Sequence, residues 1–302
     1  QLAIPFTDLG LLPAQMEPFR AVEEASERHG IVLVGAPVGH GLTTSMYAMV
    51  GRHDAYTCNI KTLERVVEYQ VDGVDHVRYD RSDPDIDYAT SLQSLRRRDA
   101  DSVMTSFIED TETARMAIGP GLDGPLIYIP QRAPTIVDQL REWVKIVGDV
   151  EQATKSLRLV VNQRLVRRLS DPTKQPYTPT PEQIKKLNLP PDKEYTFYKA
   201  SGQMVVKNKV ITSPHCGGTG YVGQVGVFEV LVVDDECRRL LATGDLKAAL
   251  AHARRNRMIY LLEAALSKVV SGETSLEEVM RVVAPKKAAA AKPQAAQPTP
   301  AG

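Results

Sequence analysis

The spacing of hydrophobic and polar positions changes repeatedly along the chain, and each change marks the edge of an element. Residues 14–29 carry apolar side chains at helical spacing, and residues 31–34 are a β-branched, fully apolar run. A glycine-rich turn follows, and residues 43–50 return to a helical pattern. Strand, tight turn and helix in that order predict a βαβ unit with parallel strands. Further strands are expected at 56–60, 102–108 and 126–129, set between helical stretches at 88–97 and 110–118. The fold class that follows is α/β, a sheet covered by helices on both faces.

Beyond residue 168 the texture changes. Six prolines (Pro172, Pro176, Pro179, Pro181, Pro190 and Pro191) between 171 and 191 predict a connector or a small irregular subdomain. The glycine-rich patch 217–226 leads into a strand at 225–233, and helices are expected at 234–242, 245–266 and 275–283, with Asp234 and Ser275 as N-caps. Residues 285–302 hold seven Ala, four Pro, three Lys and no acid, so they are expected to be disordered. The organisation read from this is a core over 1–168, a small subdomain over 169–226, a C-terminal strand and helices over 227–284, and a tail over 285–302.

Composition removes several classes. The 302 residues contain 37 Lys plus Arg and 37 Asp plus Glu, so no global field draws nucleic acid or an anionic membrane. The apolar run from Gly30 to Val38 falls well short of the roughly 18 residues a membrane span needs. Cys58, Cys216 and Cys237 are odd in number and far apart, which predicts no disulfide framework and a cytoplasmic protein. The chain opens on Gln1, so a preceding N-terminal part is expected.

The turn after the first strand reads Gly35-Ala36-Pro37-Val38-Gly39-His40-Gly41-Leu42-Thr43-Thr44. A phosphate-binding loop needs glycines that let backbone N–H groups face phosphate oxygens, a Lys for the outer phosphates, and a Ser or Thr for magnesium. The glycines and Thr43 are present, and the Lys position is Leu42.

Eight further motifs occur in order, among them Gly10-Leu11-Leu12-Pro13-Ala14-Gln15, Asp110-Thr111-Glu112-Thr113-Ala114, Gln163-Arg164-Leu165-Val166-Arg167-Arg168-Leu169, Gly217-Gly218-Thr219-Gly220-Tyr221 and Phe228-Glu229-Val230-Leu231. With them the chain resembles the type II secretion and type IV pilus assembly ATPase family from Gly10 to Val283. The resemblance implies a RecA-like P-loop NTPase core, a small metal-binding subdomain, a helical C-terminal part and hexameric motors.

It also implies a function for particular positions, and here the chain departs from the family. The family loop GPTGSGKT falls on Ala36 to Thr43, which leaves Pro37, Gly39, His40, Gly41, Thr43 and Thr44 as a weakened nucleotide site. The acidic box TIEDPVEY falls on Thr62 to Tyr69, where Glu64 and Glu68 remain as vestiges and Asp has become Arg65. The strand that ends in Gly-Glu reads Met104-Thr105-Ser106-Phe107, and the histidine box loses its two histidines to Pro125 and Arg132. The two CxxC pairs that hold zinc fall on Ser170 to Thr173 and Ser213 to Cys216, where one thiol is left, so no zinc is expected.

Phosphoryl transfer rests on positioning and charge stabilisation. Losing a general base costs roughly 10²–10⁴ in rate and losing a preorganised charge donor roughly 10²–10³. No catalytic residue is left intact on this reading, and ATP or ADP with magnesium would bind weakly at most.

Other residues read two ways. His40 is an anion contact or an exposed loop histidine, and Arg164, Arg167 and Arg168 face a neighbouring subunit's nucleotide or form internal salt bridges. The run Arg96 to Arg98 reads as a solvated helix face or a subunit contact. Glu64 and Asp110 are the candidates to replace the missing base, and Cys216 reads as a packed remnant with nothing nearby in sequence to activate it. Three functions stay open: a degraded paralogue that assembles with or regulates secretion or pilus machinery, an active motor with relocated groups, or a protein-interaction module that uses the former cleft. The first implies a homo- or hetero-hexamer with a related active ATPase among its partners, no nucleic acid, no membrane insertion, and membrane contact only through partners at its inner face.

Overall fold

The computed structural model describes residues 4–80, 82, 86–119 and 124–283. The expected tail at 285–302 lies outside them. Helix α1 (Pro13–Glu23) leads to β1 (Gly30–Gly35), the phosphate-type turn and α2 (Leu42–Val50), as the βαβ pattern requires. There follow β2 (Ile60–Glu64), β3 (Val74–Arg78), α3 (Tyr88–Arg97), β4 (Ser102–Thr105), α4 (Thr111–Ile118), β5 (Leu126–Gln131), α5 (Ile136–Val147), α6 (Val150–Lys155) and β6 (Leu157–Leu169). Short polar side chains stop competing alternatives at the helix starts: Asp87, Asp110, Thr135 and Asp149 each accept a first-turn N–H of α3, α4, α5 and α6.

The small region carries β7 (Gln175–Tyr177), α7 (Pro181–Lys186), β8 (Phe197–Lys199), β9 (Gln203–Val206) and β10 (Lys209–Thr212), with β7 paired to β8 and β9 to β10. The chain then returns through β11 (Tyr221–Val232) to α8 (Asp235–Ala242), α9 (Leu246–Arg255), α10 (Leu261–Val270) and α11 (Leu276–Val282). Asp234 and Ser275 cap α8 and α11, as the sequence predicts.

One seven-stranded sheet organises the molecule in the order β11-β6-β1-β5-β4-β2-β3. All neighbouring pairs are parallel except β11 with β6. Alternate side chains of β1 enter two separate cores: Ile31 and Leu33 pack with Trp143 on one face, Val32 and Val34 with Met46 and Tyr47 on the other. A third core joins Val166, Val225 and Val227 to Phe197, Ala265 and Val279. Among the described residues no helix is long and apolar enough to cross a membrane.

Several expectations need correction: the helix expected at 14–29 ends at Glu23 and the strand expected at 102–108 ends at Thr105. The strand expected at 56–60 begins only at Ile60, because the Asp54 carboxylate accepts the Tyr56 N–H and the Thr57 hydroxyl and folds 54–57 into a turn. The strand β3 has no counterpart in the sequence reading; it is an edge strand with exposed Asp75 and Arg78. The strand expected at 225–233 starts at Tyr221, crosses the expected boundary at 226/227 and pairs along β6 in the core sheet. The single helix expected at 245–266 is two, because Arg257 adopts a left-handed φ of 66°. Met258 then enters the first core and Leu261 the third, so the break feeds one chain segment into two cores.

Helix α11 is held on β6 by a buried acid. Glu278 accepts the Arg167 N–H at 3.0 Å and the Arg167 and Arg281 guanidinium groups at 2.7 Å and 2.6 Å. Burial raises its carboxyl pKa, but the hydrogen bonds from Arg281 and Arg167 outweigh that and bring it down to about 2. A depressed pKa stabilises the fold fully above about 4.5, and that stability is lost as pH falls towards 2. Thermal unfolding should therefore show a steep loss of Tm between pH 4.5 and about 2 that Glu278→Gln flattens, while lowering Tm at pH 7. Parallel pH profiles for the two proteins would contradict the linkage.

Candidate functional site

The carboxyl ends of β1, β2, β4 and β5 meet on one edge of the sheet, the edge where open parallel sheets bind ligands. The turn after β1 is shaped by two glycines. A Cβ on Gly35 would meet the Gln139 amide at 2.3 Å, and Gly41, the N-cap of α2, has a φ of 74°. The first N–H groups of α2 have no intrahelical acceptor, so the turn keeps the backbone arrangement that suits an anion.

His40 is half-buried and braces this turn against β6. The Leu165 N–H donates to His40 Nδ1 at 3.0 Å, and the Gln163 amide donates to the His40 carbonyl at 2.7 Å. Burial and the neighbouring Arg164 and Arg281 hold the imidazole pKa below its ordinary value. The ring is neither exposed nor offering a positive charge to an anion.

Leu42 turns its side chain onto the core cluster that contains Val32, Val34 and Met46. With Thr43, Met46, Tyr47, Glu64, Val66, Glu68, Met104, Phe107 and Pro130 it lines a cleft of about 90 Å³. That is small beside the roughly 300–1,000 Å³ of ordinary ligand sites.

Across the cleft, two of the replaced positions touch. The Arg132 guanidinium lies over the Phe107 ring, 4.7 Å from its centroid. A cation–π contact of this kind, worth about 0.5–1 kcal/mol at an exposed site, now stands where the resemblance implies a glutamate and a histidine. Arg65, at the former Asp, donates to the Phe107 carbonyl at 3.2 Å and pairs with Glu109 at 3.9 Å.

Glu64 is fully enclosed. The Tyr47 hydroxyl donates to its Oε2, and His76 Nδ1 lies 3.0 Å from its Oε1. Because the Val71 N–H donates to His76 Nε2 at 3.2 Å, the proton sits on Nδ1 and His76 donates to the carboxylate. Tyr47 in turn accepts the Glu68 N–H at 2.9 Å, and burial with the Glu64 contact pushes its hydroxyl pKa up. Glu68 itself is exposed at the cleft's edge. Asp110 spends its carboxylate on the Thr113 N–H and hydroxyl, at 2.7 Å and 2.8 Å. Neither Glu64 nor Asp110 is placed as a free base.

The remaining positions also have internal partners. Arg164 donates to the Pro134 carbonyl and to Asn162 Oδ1, Arg167 is taken by Glu278, and Arg168 pairs with Glu273 at 3.9 Å. Arg96 donates to the Met116 carbonyl at 2.6 Å. Ser170, Thr173, Ser213 and Cys216 are all buried and draw together, with Thr173 Oγ1 3.9 Å from Cys216 Sγ. Three hydroxyls and one thiol are not the four N or S ligands that a structural zinc takes.

A family model described as type II/IV secretion system protein matches residues 1–281. The chain belongs to this family. Among the curated relatives of this secretion family, type II secretion system protein E of Xanthomonas campestris is 31% identical over 284 residues, covering 92% of this chain and 47% of its own length. The type II secretion system protein HxcR of Pseudomonas aeruginosa is 32% identical, with 91% and 52% covered, and the type IV pilus assembly ATPase PilB of Thermus thermophilus 31%, with 90% and 30% covered. The chain thus spans about half the length, or less, of these relatives. Two solved structures share the fold: the Legionella pneumophila ATPase DotB at TM-score 0.62 and 16% identity, covering 92% of this chain and 64% of that one, and the pilus retraction motor PilT with bound ADP at 0.61 and 18%, covering 95% and 68%. The α/β core is therefore the P-loop secretion-ATPase fold, with β1 and its turn inside the sheet between β6 and β5.

Tyr47, His76 and Gln139 were not singled out by sequence; each matters through a partner brought near only by strand pairing or helix packing. Removing the Tyr47 hydroxyl strands a buried carboxylate oxygen, so Tyr47→Phe should destabilise the chain by about 1–3 kcal/mol in urea unfolding. Unchanged stability would mean that Glu64 is not held this way.

Proposed function

We propose that this chain is a member of the secretion family that keeps the ATPase shape without its chemistry, and that it serves as an assembly or regulatory subunit of a secretion or pilus machine. The observation that carries the reading is the coupled replacement at Phe107 and Arg132, which stack on each other where a base and a histidine are implied. Leu42, half-buried against the core at the cleft's edge, supports it from the other side of the cleft. The backbone turn from Pro37 through Gly39, His40, Gly41, Thr43 and Thr44 still suits phosphate, so ATP or ADP binds weakly there. The residues do not fit magnesium-assisted hydrolysis, since the Lys is absent and Glu64 is engaged by Tyr47 and His76. The subunit joins a ring, either of its own copies or mixed with an active relative, and sits at the inner face of the membrane through partner proteins. No zinc is needed.

Two other readings have less support. A motor with relocated groups would need Glu64 or Asp110 free, and both are occupied. The protein-interaction reading rests only on the apolar side chains Leu42, Met104 and Phe107 that line the cleft.

ATP turnover by the purified chain should sit at background and not change with Glu64→Gln. Restoring the family residues together, as Leu42→Lys, Phe107→Glu and Arg132→His, should raise it by roughly 10²–10⁴. Robust turnover by the unaltered chain that Glu64→Gln abolishes would establish an active motor instead.

A further inference from the structure

The hairpin of β9 and β10 carries apolar side chains that are left in water. Its turn, Lys207-Asn208, has both residues left-handed, at φ 47° and 61°, as a tight hairpin needs. In the register Val205 lies opposite Val210 on one face and Met204 opposite Ile211 on the other. Val205 and Val210 are 69% and 63% exposed, and Val206 and Ile211 are exposed as well. Among the described residues no third strand joins the pair. A two-stranded sheet is marginal in water, and its free edges are templates for pairing with another chain. Its charge is one-sided too: from Tyr195 to Phe228 the sequence holds Lys199, Lys207 and Lys209 and no acid.

A surface that matches it lies at the far side of the main sheet. The hairpin runs through the 217–220 turn into β11, which forms one edge of that sheet, and β3 forms the opposite edge. The β11 edge is closed off, because the Gly226 N–H donates to the Leu9 carbonyl at 3.0 Å and the Gln15 amide to the Phe228 carbonyl at 2.7 Å. On the outer side of β3 no strand pairs among the described residues. This open edge is five residues long against four in β10, and Asp72, Asp75 and Asp80 are exposed on and beside it, against the base Arg78. Lys61 reaches Asp75 at 2.9 Å, yet the Asp75 side chain stays 59% exposed. Pairing two hairpins would bring lysines onto lysines, whereas the β3 edge offers them carboxylates.

We propose that β10 of one copy adds to the β3 edge of the next, so that the hairpin continues the sheet of its neighbour. Backbone N–H and C=O groups supply the pairing, and Lys207 and Lys209 facing Asp72 and Asp75 fix its direction and register. The two surfaces are unlike and sit at opposite edges of the sheet, so the contact is head-to-tail and builds a ring or a filament of copies. The inference rests on the ring in the proposed function and supplies a contact for it. It does not depend on the lost chemistry, since none of these residues lines the cleft.

Sedimentation velocity of the full chain tests it. Species larger than one chain should form in about 0.1 M salt and dissociate in about 1 M, where the screening length falls from about 10 Å to about 3 Å. Lys207→Glu with Lys209→Glu should weaken association at least ~10-fold with unchanged circular dichroism, and mixing that protein with one carrying Asp72→Lys and Asp75→Lys should restore it. A short thiol cross-linker should join a Val210→Cys copy to an Asp75→Cys copy and should not join two Val210→Cys copies. A chain that stays monomeric in low salt, or cross-links between two hairpins, would overturn the proposal. So would a monomer that sediments with anionic lipid vesicles through Lys207 and Lys209. Association untouched by the charge reversals would also overturn it while leaving the ring of the proposed function standing on another contact.

Discussion

The pairing of β6 with both β1 and β11 is the constraint on which the rest of the molecule depends. On one edge it is parallel to β1, matching Gly35 to Asn162, and on the other it is antiparallel to β11 from Leu159 to Leu169. From that position β6 sends Gln163 and Leu165 to His40 in the phosphate-type turn, Asn162 to Gln139 and the Ala133 carbonyl, and Arg167 to Glu278 on α11. The turn, the loop after β5 and the C-terminal helices are thus all referenced to one strand. The shape of the turn after β1 is thus held from behind by β6 whatever side chains face the cleft.

Three of the positions at which the chain departs from the family pattern touch one another: Arg65, Phe107 and Arg132. Leu42 gains apolar contact where a lysine would need an anion, and Phe107 gains Arg132 as a partner on its ring. Arg65 is absorbed by the Phe107 carbonyl and Glu109. Of the two acids that remain in the acidic box, Glu64 has both carboxylate oxygens engaged, one by Tyr47 and one by His76. At Leu42 and Phe107 an apolar side chain stands where the resemblance implies a charged one, and each finds a contact inside the chain.

Much of this was legible in the sequence where local chemistry is self-sufficient. The β-branched run before the glycines gives β1 and its turn, and short polar residues at Asp110, Asp234 and Ser275 give helix starts. What was hidden depends on distant partners. Strand β6 carries Arg158, Arg164, Arg167 and Arg168, which mask its period until Glu27, Pro134, Glu278 and Glu273 are seen to take them up. The break between α9 and α10 has neither Pro nor Gly, and a left-handed Arg257 makes it. His76 reaches Glu64 only because β3 pairs with β2, and the surroundings of Cys216 come from Thr173 and from backbone N–H groups.

The proposed function requires a cleft whose backbone still suits phosphate but whose side chains do not hold a magnesium nucleotide tightly. Calorimetric titration of the chain with ATP, with and without magnesium, measures this directly. A Kd of about 0.1 mM or weaker that magnesium does not improve, corresponding to no more than about −5.5 kcal/mol, is the result expected of the residues present. A micromolar Kd that depends on magnesium would contradict it.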